Sequence, residues 1–175
     1  MKVRDITMTA LFAALLCVCA PWSVPVGPVP ISLATFAVYL AAAVLGWKRG
    51  SIAVLVYVLL GAVGVPVFSG FSGGVQKLVS LTGGYIVGYI PCALLTGLFA
   101  DRFGKVWAYA LGMVAGTVVL YALGTGWFIF LAECTLGYAL TMCVVPFLIG
   151  DAIKIACATL LTVKLRPLVG KYMRK

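Results

Sequence analysis

The chain has 175 residues, of which 64% are hydrophobic and only 10% are charged, and its formal net charge is +9. A soluble domain is roughly 45–50% apolar and about 25% charged, so this composition excludes a soluble globular domain and predicts one integral membrane domain over residues 1–175. The basic residues lie in short clusters between apolar runs, which argues against nucleic-acid binding and indicates membrane topology. Histidine is absent and only four residues are acidic, so we expect neither an enzyme nor a metal ion or cofactor.

Six apolar segments are long enough to form membrane helices, at about 20 residues for each span. In chain order the predicted spans are 5–20, 32–47, 50–64, 83–100, 106–123 and 141–164. The sequence therefore predicts an all-α, multi-pass membrane protein with six transmembrane helices.

The distribution of basic residues predicts how these helices are oriented. With the amino terminus inside, the residues on the inner side are Lys2, Arg4, Lys48, Arg49, Arg102, Lys105, Lys164, Arg166, Lys171, Arg174 and Lys175. The outer connections contain only Lys77. Because Lys and Arg accumulate on the cytoplasmic side of membrane proteins, we expect a cell-membrane protein with both termini in the cytoplasm.

The three predicted outer connections are long and carry little charge. Residues Pro21–Pro30 contain four prolines, residues Gly64–Gly84 are rich in glycine, and residues Gly124–Leu140 are rich in aromatic side chains. Irregular backbone at membrane depth is tolerated where it is buried in protein or lines a cavity, and glycine lets the backbone approach a ligand closely. The sequence thus predicts long outer loops that cap a ligand pocket opening outward.

The sixth predicted span carries two charges within an apolar run. Asp151 and Lys154 are three residues apart, so both lie on one helical face, where they can pair or contact the same ligand. Charges at bilayer depth are costly, and such residues usually face the bundle interior and mark a ligand or ion path. We therefore interpret the pair as a recognition site, with a purely structural ion pair as the alternative.

Three further features have both a functional and a structural interpretation. Tyr85 begins the fourth span and either contacts a ligand or anchors the helix at the membrane interface. Lys77 either holds an anionic part of a ligand or is a solvated side chain. Ala10 and Ala14 form a small-xxx-small pattern that lets another helix approach closely, so they either face a partner or pack inside the domain.

Several strings of the sequence, taken together, resemble the BioY family, the biotin-binding S components of energy-coupling factor (ECF) transporters. The strings, in order along nearly the whole chain, are Val29–Thr35, Leu45–Gly50, Gly64–Gly70, Thr82–Tyr85 and Gly150–Lys154. The resemblance implies the six-helix ECF S-component fold and a subunit that captures biotin from outside and delivers it inward. It also implies a T component and two ATPase subunits as partners, with the lipid bilayer around the subunit. The chain itself contains no GxxxxGK[ST] motif, so the energy must come from a partner or a gradient.

The resemblance gives the residues above specific roles. It implies that Ala10 and Ala14 face the T component. The ureido ring of biotin offers two N–H donors and one carbonyl acceptor, which suit Asp151 and Lys154, while aromatic side chains suit its apolar part. The predicted ligand-binding residues are Asp151, Lys154, Tyr85, Phe68, Phe71, Ser72, Gly73, Gly74, Lys77, Gly84 and Thr35.

The chain departs from the family's pattern at three places. Ala34 stands where a glutamine often precedes Thr35, and Leu81 stands where proline is frequent. An arginine that many relatives have near Ser72 is missing. We therefore expect Lys77 to hold the biotin carboxylate in its place.

Two other functions are compatible with the same residues. One is an S component for another vitamin, such as riboflavin or thiamine. The other is a membrane enzyme or assembly protein that uses Asp151 as an acid, although such a site would need more polar side chains than the spans offer.

Overall fold

The structure, a computed structural model, describes residues 3–25 and 29–174, with the backbone alone at residue 174. Its elements are α1 Val3–Cys19, β1 Ser23–Val24, β2 Ile31–Ser32, α2 Ala34–Leu45, α3 Trp47–Val63, α4 Val75–Val79, α5 Gly83–Phe103, α6 Val106–Ala132, α7 Leu136–Cys143 and α8 Val145–Arg174. Each of the six predicted spans contains a helix. Lys2, Pro28 and Lys175, to which predictions above refer, lie outside the described residues.

Helix α2 lies at the centre of the bundle. Ten of its twelve residues are buried, as expected for a helix that is apolar on all sides, and it packs against α1, α3, α5 and α8. Small residues make this packing close: a Cβ on Gly50 of α3 would lie 2.6 Å from Cα of Ala42. Close backbone approach through small residues is how membrane helices associate, and it positions the amino-terminal end of α2 beside α8.

Among the described helices, three are long and apolar enough to cross a membrane by length and composition: Gly83–Phe103, Val106–Ala132 and Val145–Met173. Helices α1 and α3 have 17 residues each, and α2 has 12. Two of the three long helices contain a proline, Pro91 in α5 and Pro167 in α8. Membrane helices tolerate proline because neighbouring groups satisfy the freed backbone carbonyls.

The prediction of a long aromatic loop over Gly124–Leu140 is wrong. Helix α6 continues to Ala132, Glu133 ends it in the left-handed conformation, and α7 begins at Leu136. Glycine here serves helix packing and does not form a loop: a Cβ on Gly124 would lie 2.4 Å from the Tyr85 ring.

The predicted bounds of the sixth span, 141–164, are also wrong. Helix α8 begins at Val145 and extends to Arg174, and residue 144 separates it from α7. Asp151 therefore lies six residues after the helix begins, or about 9 Å along its axis, whereas the predicted bounds would place it ten residues after the start.

The first two of the connections predicted to lie outside pack against each other. The proline-rich connection forms a small antiparallel hairpin in which Ser23 pairs with Ser32. The glycine-rich connection folds back between Phe68 and Ser72 and then forms α4. The amide of Gly70 donates to the carbonyl of Pro21 at 3.0 Å. Two of the three predicted loops thus form one layer at the end of the bundle where α2 and α5 begin.

Ion pairs at the opposite end join helices that are distant in sequence. Arg166 of α8 donates to Asp101 of α5 at 2.6 Å, and Asp101 accepts the amide of Trp47, the first residue of α3, at 3.0 Å. A carboxylate at a helix amino terminus is favourable because it meets unpaired amides there. Arg49 pairs with the buried Asp5 of α1 at 3.1 Å. The clusters predicted for the inner side therefore meet at one end of the bundle.

Two glycines that lie inside helices make contrasting predictions for stability. A Cβ on Gly97 would lie 2.5 Å from both Cα and N of Trp47, whereas a Cβ on Gly126 would meet nothing within 4 Å. Gly97→Ala should therefore destabilise the protein by about 1–3 kcal/mol through overpacking. Gly126→Ala should be neutral or stabilise it by up to about 1 kcal/mol. Thermal unfolding in detergent measures both, and equal effects of the two variants would contradict this packing.

Candidate ligand-binding site

A cavity of about 260 Å³ lies beneath the two packed outer connections. Its lining residues come from the hairpin, the glycine-rich connection and the first turns of α5: Val29, Pro30, Phe68, Ser69, Ser72, Lys77, Ser80, Leu81, Thr82, Tyr85, Ile86 and Tyr89. The ring of Phe68 is fixed by an edge-on contact with Tyr57, with centroids 5.7 Å apart. The outer connections therefore supply walls of this cavity.

A smaller, deeper cavity of about 40 Å³ adjoins it and contains the charged pair. The deeper cavity is lined by Val29, Pro30, Ser32, Thr35, Tyr85, Tyr89, Leu120, Tyr121, Phe147, Asp151 and Lys154. Four of these residues, Val29, Pro30, Tyr85 and Tyr89, also line the outer cavity. The two cavities thus form one site that extends from the outer connections to the charges on α8.

The charged pair is largely shielded from solvent, and both of its charges are hydrogen-bonded. Nζ of Lys154 lies 3.0 Å from Oδ1 of Asp151, and their side chains are only 12% and 5% exposed. Thr35 of α2 bridges them: its hydroxyl accepts from Lys154 at 3.0 Å and donates to Asp151 at 3.4 Å. These charge-assisted bonds offset part of the cost of burying two ions. The arrangement presents a carboxylate acceptor and an ammonium donor side by side, facing a cavity.

Tyr121 of α6 completes this cluster, and we did not predict it from the sequence. Its hydroxyl donates to Oδ2 of Asp151 at 2.5 Å. A signal was present: Thr117, Tyr121 and Thr125 follow one another at intervals of four in a largely apolar helix. In the structure Thr117 is bonded to the buried Tyr39 of α2 at 2.6 Å. Polar groups that share a face of an apolar span indicate a bonded face inside the bundle.

Other predicted residues line the outer cavity. Phe68, Ser72, Lys77 and Tyr85 all contribute to its wall. The Tyr85 hydroxyl bonds to Thr125 at 3.1 Å, so the ring is held in place. Tyr85 thus lies inside the bundle and is not an interfacial anchor.

Four predicted residues do not line either cavity. Phe71 is 61% exposed and meets the ring of Trp22 edge-on. A Cβ on Gly73 would lie 2.4 Å from the carbonyl oxygen of Val65, and one on Gly84 would lie 2.3 Å from Cβ of Trp127. Gly74 has φ of 97° and precedes α4. These glycines permit turns and close packing within the protein.

Comparison with known proteins identifies the family. A sequence profile described as the BioY family matches residues 1–171. The chain belongs to the BioY family. The resemblance drawn from its sequence strings is thereby confirmed.

Individual relatives match over nearly their whole length. The "Biotin transporter BioY" of Thermotoga maritima is 42% identical over 166 residues, which cover 95% of this chain and 98% of that protein. The "Probable biotin transporter BioY" of Pyrococcus horikoshii is 38% identical over 167 residues, with the same coverage. A crystal structure of "the S-component for biotin from an ECF-type ABC transporter" has a TM-score of 0.88 and 26% identity, and the match covers 95% of this chain and 92% of that one. The chain therefore shares the fold of that S component.

The bonding of the charged pair makes a prediction for stability without ligand. Lys154→Met leaves the Asp151 carboxylate buried without its cation, and removing one partner of a buried pair costs about 3–5 kcal/mol. The double variant Asp151→Asn/Lys154→Met should recover part of this loss, because neither charge remains. Thermal unfolding in detergent of wild type, both single variants and the double variant gives the coupling. Strictly additive losses would show that the two charges do not stabilise each other.

Proposed function

We propose that this chain is the membrane-embedded substrate-binding (S) subunit of a biotin uptake system, which captures biotin from outside and delivers it inward with an ATP-driven ECF module. The observation that carries the proposal is the buried Asp151–Lys154–Thr35 cluster, which faces a cavity in a member of the BioY family. Relatives that match along their whole length are named biotin transporters. A transport subunit, and not an enzyme, is the activity that these names support.

The polar head of biotin matches the deep cavity. Its ureido group has N–H donors for the Asp151 carboxylate and a carbonyl oxygen for the Lys154 ammonium. Oδ1 of Asp151 already accepts from Lys154 and Thr35, and Oδ2 accepts from Tyr121. An ionised carboxylate offers about four acceptor positions, so Oδ2 has capacity for one further bond. A ligand analogue that lacks one of these polar groups would leave a buried group of the site without a partner, so such a site discriminates strongly against it.

The apolar and anionic parts of biotin match the outer cavity. Tyr85 and Tyr89 line both cavities and suit the fused ring and the start of the valerate chain, and Phe68 lies farther out. Among the described residues that line the outer cavity, Lys77 is the only cation. We therefore assign it to the biotin carboxylate, in the role that the missing arginine would have.

The six predicted spans and the cytoplasmic termini belong to the same proposal. The twelve-residue α2 is too short to cross a bilayer in full, but the hairpin and the glycine-rich connection cover its outer end. The basic inner clusters meet at one end of the bundle, as noted above, while Lys77 lies near the other. That separation supports an inner and an outer face.

The first test is binding by the purified chain in detergent. Wild type should bind biotin, and biotin should be the small molecule that co-purifies; a flavin or thiamine would instead favour another vitamin. Asp151→Asn should weaken binding roughly 10–150-fold, the equivalent of about 1.5–3 kcal/mol for one charge-assisted bond. Lys77→Met should weaken biotin more than biotinamide, which has no carboxylate. Folded Asp151 and Lys154 variants with wild-type affinity would reduce the pair to a structural role.

The second test separates binding from coupling to a T component. Ala10 and Ala14 are exposed on one face of α1, whereas Ala13 is buried at 3% exposure. Small exposed residues let a partner helix approach closely. Ala10→Trp and Ala14→Trp should therefore keep biotin affinity and lose co-purification with the T component and ATP-driven uptake. Ala13→Trp is the matched control: because Ala13 is buried, this variant should be less thermally stable than wild type and than the other two variants. Full uptake with an intact complex in the first two variants would remove them from the coupling surface.

A further inference from the structure

A long apolar groove lies on the other side of the charged cluster, between α6 and α8. Its volume is about 700 Å³, and it is lined by Ala110, Val114, Thr117, Val118, Tyr121, Leu148, Asp151, Ala152, Ile155, Ala156, Thr159 and Leu160. Val118 and Leu160 are 62% and 68% exposed, so the groove opens on the surface of two membrane-spanning helices. Among the described residues that line it, Asp151 alone is charged.

Two residues line both this groove and the deep cavity of the ligand site. They are Tyr121 and Asp151. The boundary between the ligand site and a lipid-facing groove is therefore formed by one aromatic ring and the carboxylate that it bonds. A tyrosine suits such a boundary, because its ring is apolar and its hydroxyl needs a partner when buried.

The bonding of Asp151 divides its two oxygens between different helices. Oδ1 is bonded by Lys154 of α8 and Thr35 of α2, and Oδ2 is bonded by Tyr121 of α6. A carboxylate bonded through one oxygen alone can rotate about its Cβ–Cγ bond. The bond from Tyr121 fixes that rotation, with Oδ2 on the side of the residue that lines both the cavity and the groove.

We propose that Tyr121 is the specificity-determining residue of this site: its hydroxyl orients the Asp151 carboxylate, and its ring closes the ligand cavity against the α6–α8 groove. The inference rests on the proposed function, in which the ureido group of biotin meets Asp151. A substituent on the ureido nitrogen nearest Asp151 then points at the Tyr121 ring and is excluded. Specificity of this kind comes from a steric barrier to the wrong ligand and not only from contacts to the right one.

The proposal makes different predictions for the hydroxyl and for the ring. Tyr121→Phe removes one bond to a charged group and keeps the wall, so biotin affinity should fall about tenfold. Selectivity for biotin over an analogue with a propyl group on a ureido nitrogen should then stay high. Tyr121→Ala joins the cavity to the groove, so the propyl group gains space. The preference for biotin over the propyl analogue should fall by about tenfold or more, which is the size of steric discrimination in an apolar pocket.

The experiment titrates biotin and N-propyl biotin against wild type, Tyr121→Phe, Tyr121→Ala and Tyr109→Ala in detergent. Tyr109 is the matched control, because it lies on the same helix and bonds to the carbonyl of Gly104, outside both cavities. Its removal should lower thermal stability and leave the affinity ratio unchanged. If Tyr121→Ala does not fold, Tyr121→Leu takes its place, because leucine keeps apolar bulk but is shorter than tyrosine. The same ratio of affinities for biotin and N-propyl biotin is then measured.

The outcomes separate this inference from the proposed function. A folded Tyr121→Ala that keeps the wild-type ratio of affinities for biotin and N-propyl biotin would overturn the role of the ring. A Tyr121→Phe with wild-type affinity for biotin would overturn the role of the hydroxyl. Equal weakening of both ligands in step with lost stability, as in the control, would make Tyr121 a packing residue only. If wild type binds biotin and Asp151→Asn binds it more weakly as predicted, while the Tyr121 variants behave as wild type, only this inference falls. If wild type binds no biotin, both fall.

Discussion

The buried carboxylate of Asp151 constrains how the surrounding helices pack. An ionised group inside an apolar bundle must be paired and hydrogen-bonded, because a stranded charge there costs more than most single interactions return. Its partners come from three helices: Lys154 on α8, Thr35 on α2 and Tyr121 on α6. The register of these helices is therefore constrained at one level of the bundle. The same bonds leave a polar surface facing a cavity, which is what a ligand with donors and an acceptor requires.

The cavity exists because the helices pack closely elsewhere. Small residues bring backbones together around α2 and between α5 and α6, where a Cβ on Gly116 would lie 2.9 Å from the carbonyl oxygen of Cys92. Lipid offers no hydrophobic drive for helix association, so close packing and bonded polar groups hold such a bundle together. At the end where α2 and α5 begin, the larger side chains Phe68, Tyr85 and Tyr89 line a cavity. The hairpin and the glycine-rich connection supply further walls of that cavity.

The proposed division of labour follows from this geometry. Recognition lies at one end, where the cavity and the charged cluster are, and the ion pairs of Arg166 and Arg49 join helices at the other. Ala10 and Ala14, the proposed coupling residues, line neither cavity, so the proposal predicts that mutation can alter coupling without altering binding. The open groove between α6 and α8 is the exception to this close packing. This groove meets the deep cavity at Tyr121. The proposal above therefore gives Tyr121 the role of excluding ligands that are too large.

The sequence by itself determined the class of the protein, the six helical segments and the placement of Asp151 and Lys154 on one helical face, where they pair. Composition, apolar length and a charge within an apolar run are local properties, and a membrane interior allows few alternatives for any of them. The family resemblance added Thr35, which only its place in a matching string marked out.

What the sequence could not decide was what each glycine and aromatic residue contacts. Gly124 looks like part of a loop and proves to be a packing site against Tyr85, while Phe71 looks like a ligand contact and faces outward. Tyr121 lies thirty residues before Asp151, and nothing local indicates that they bond. Such contacts depend on how whole helices rotate and slide against each other, which the tertiary structure alone decides.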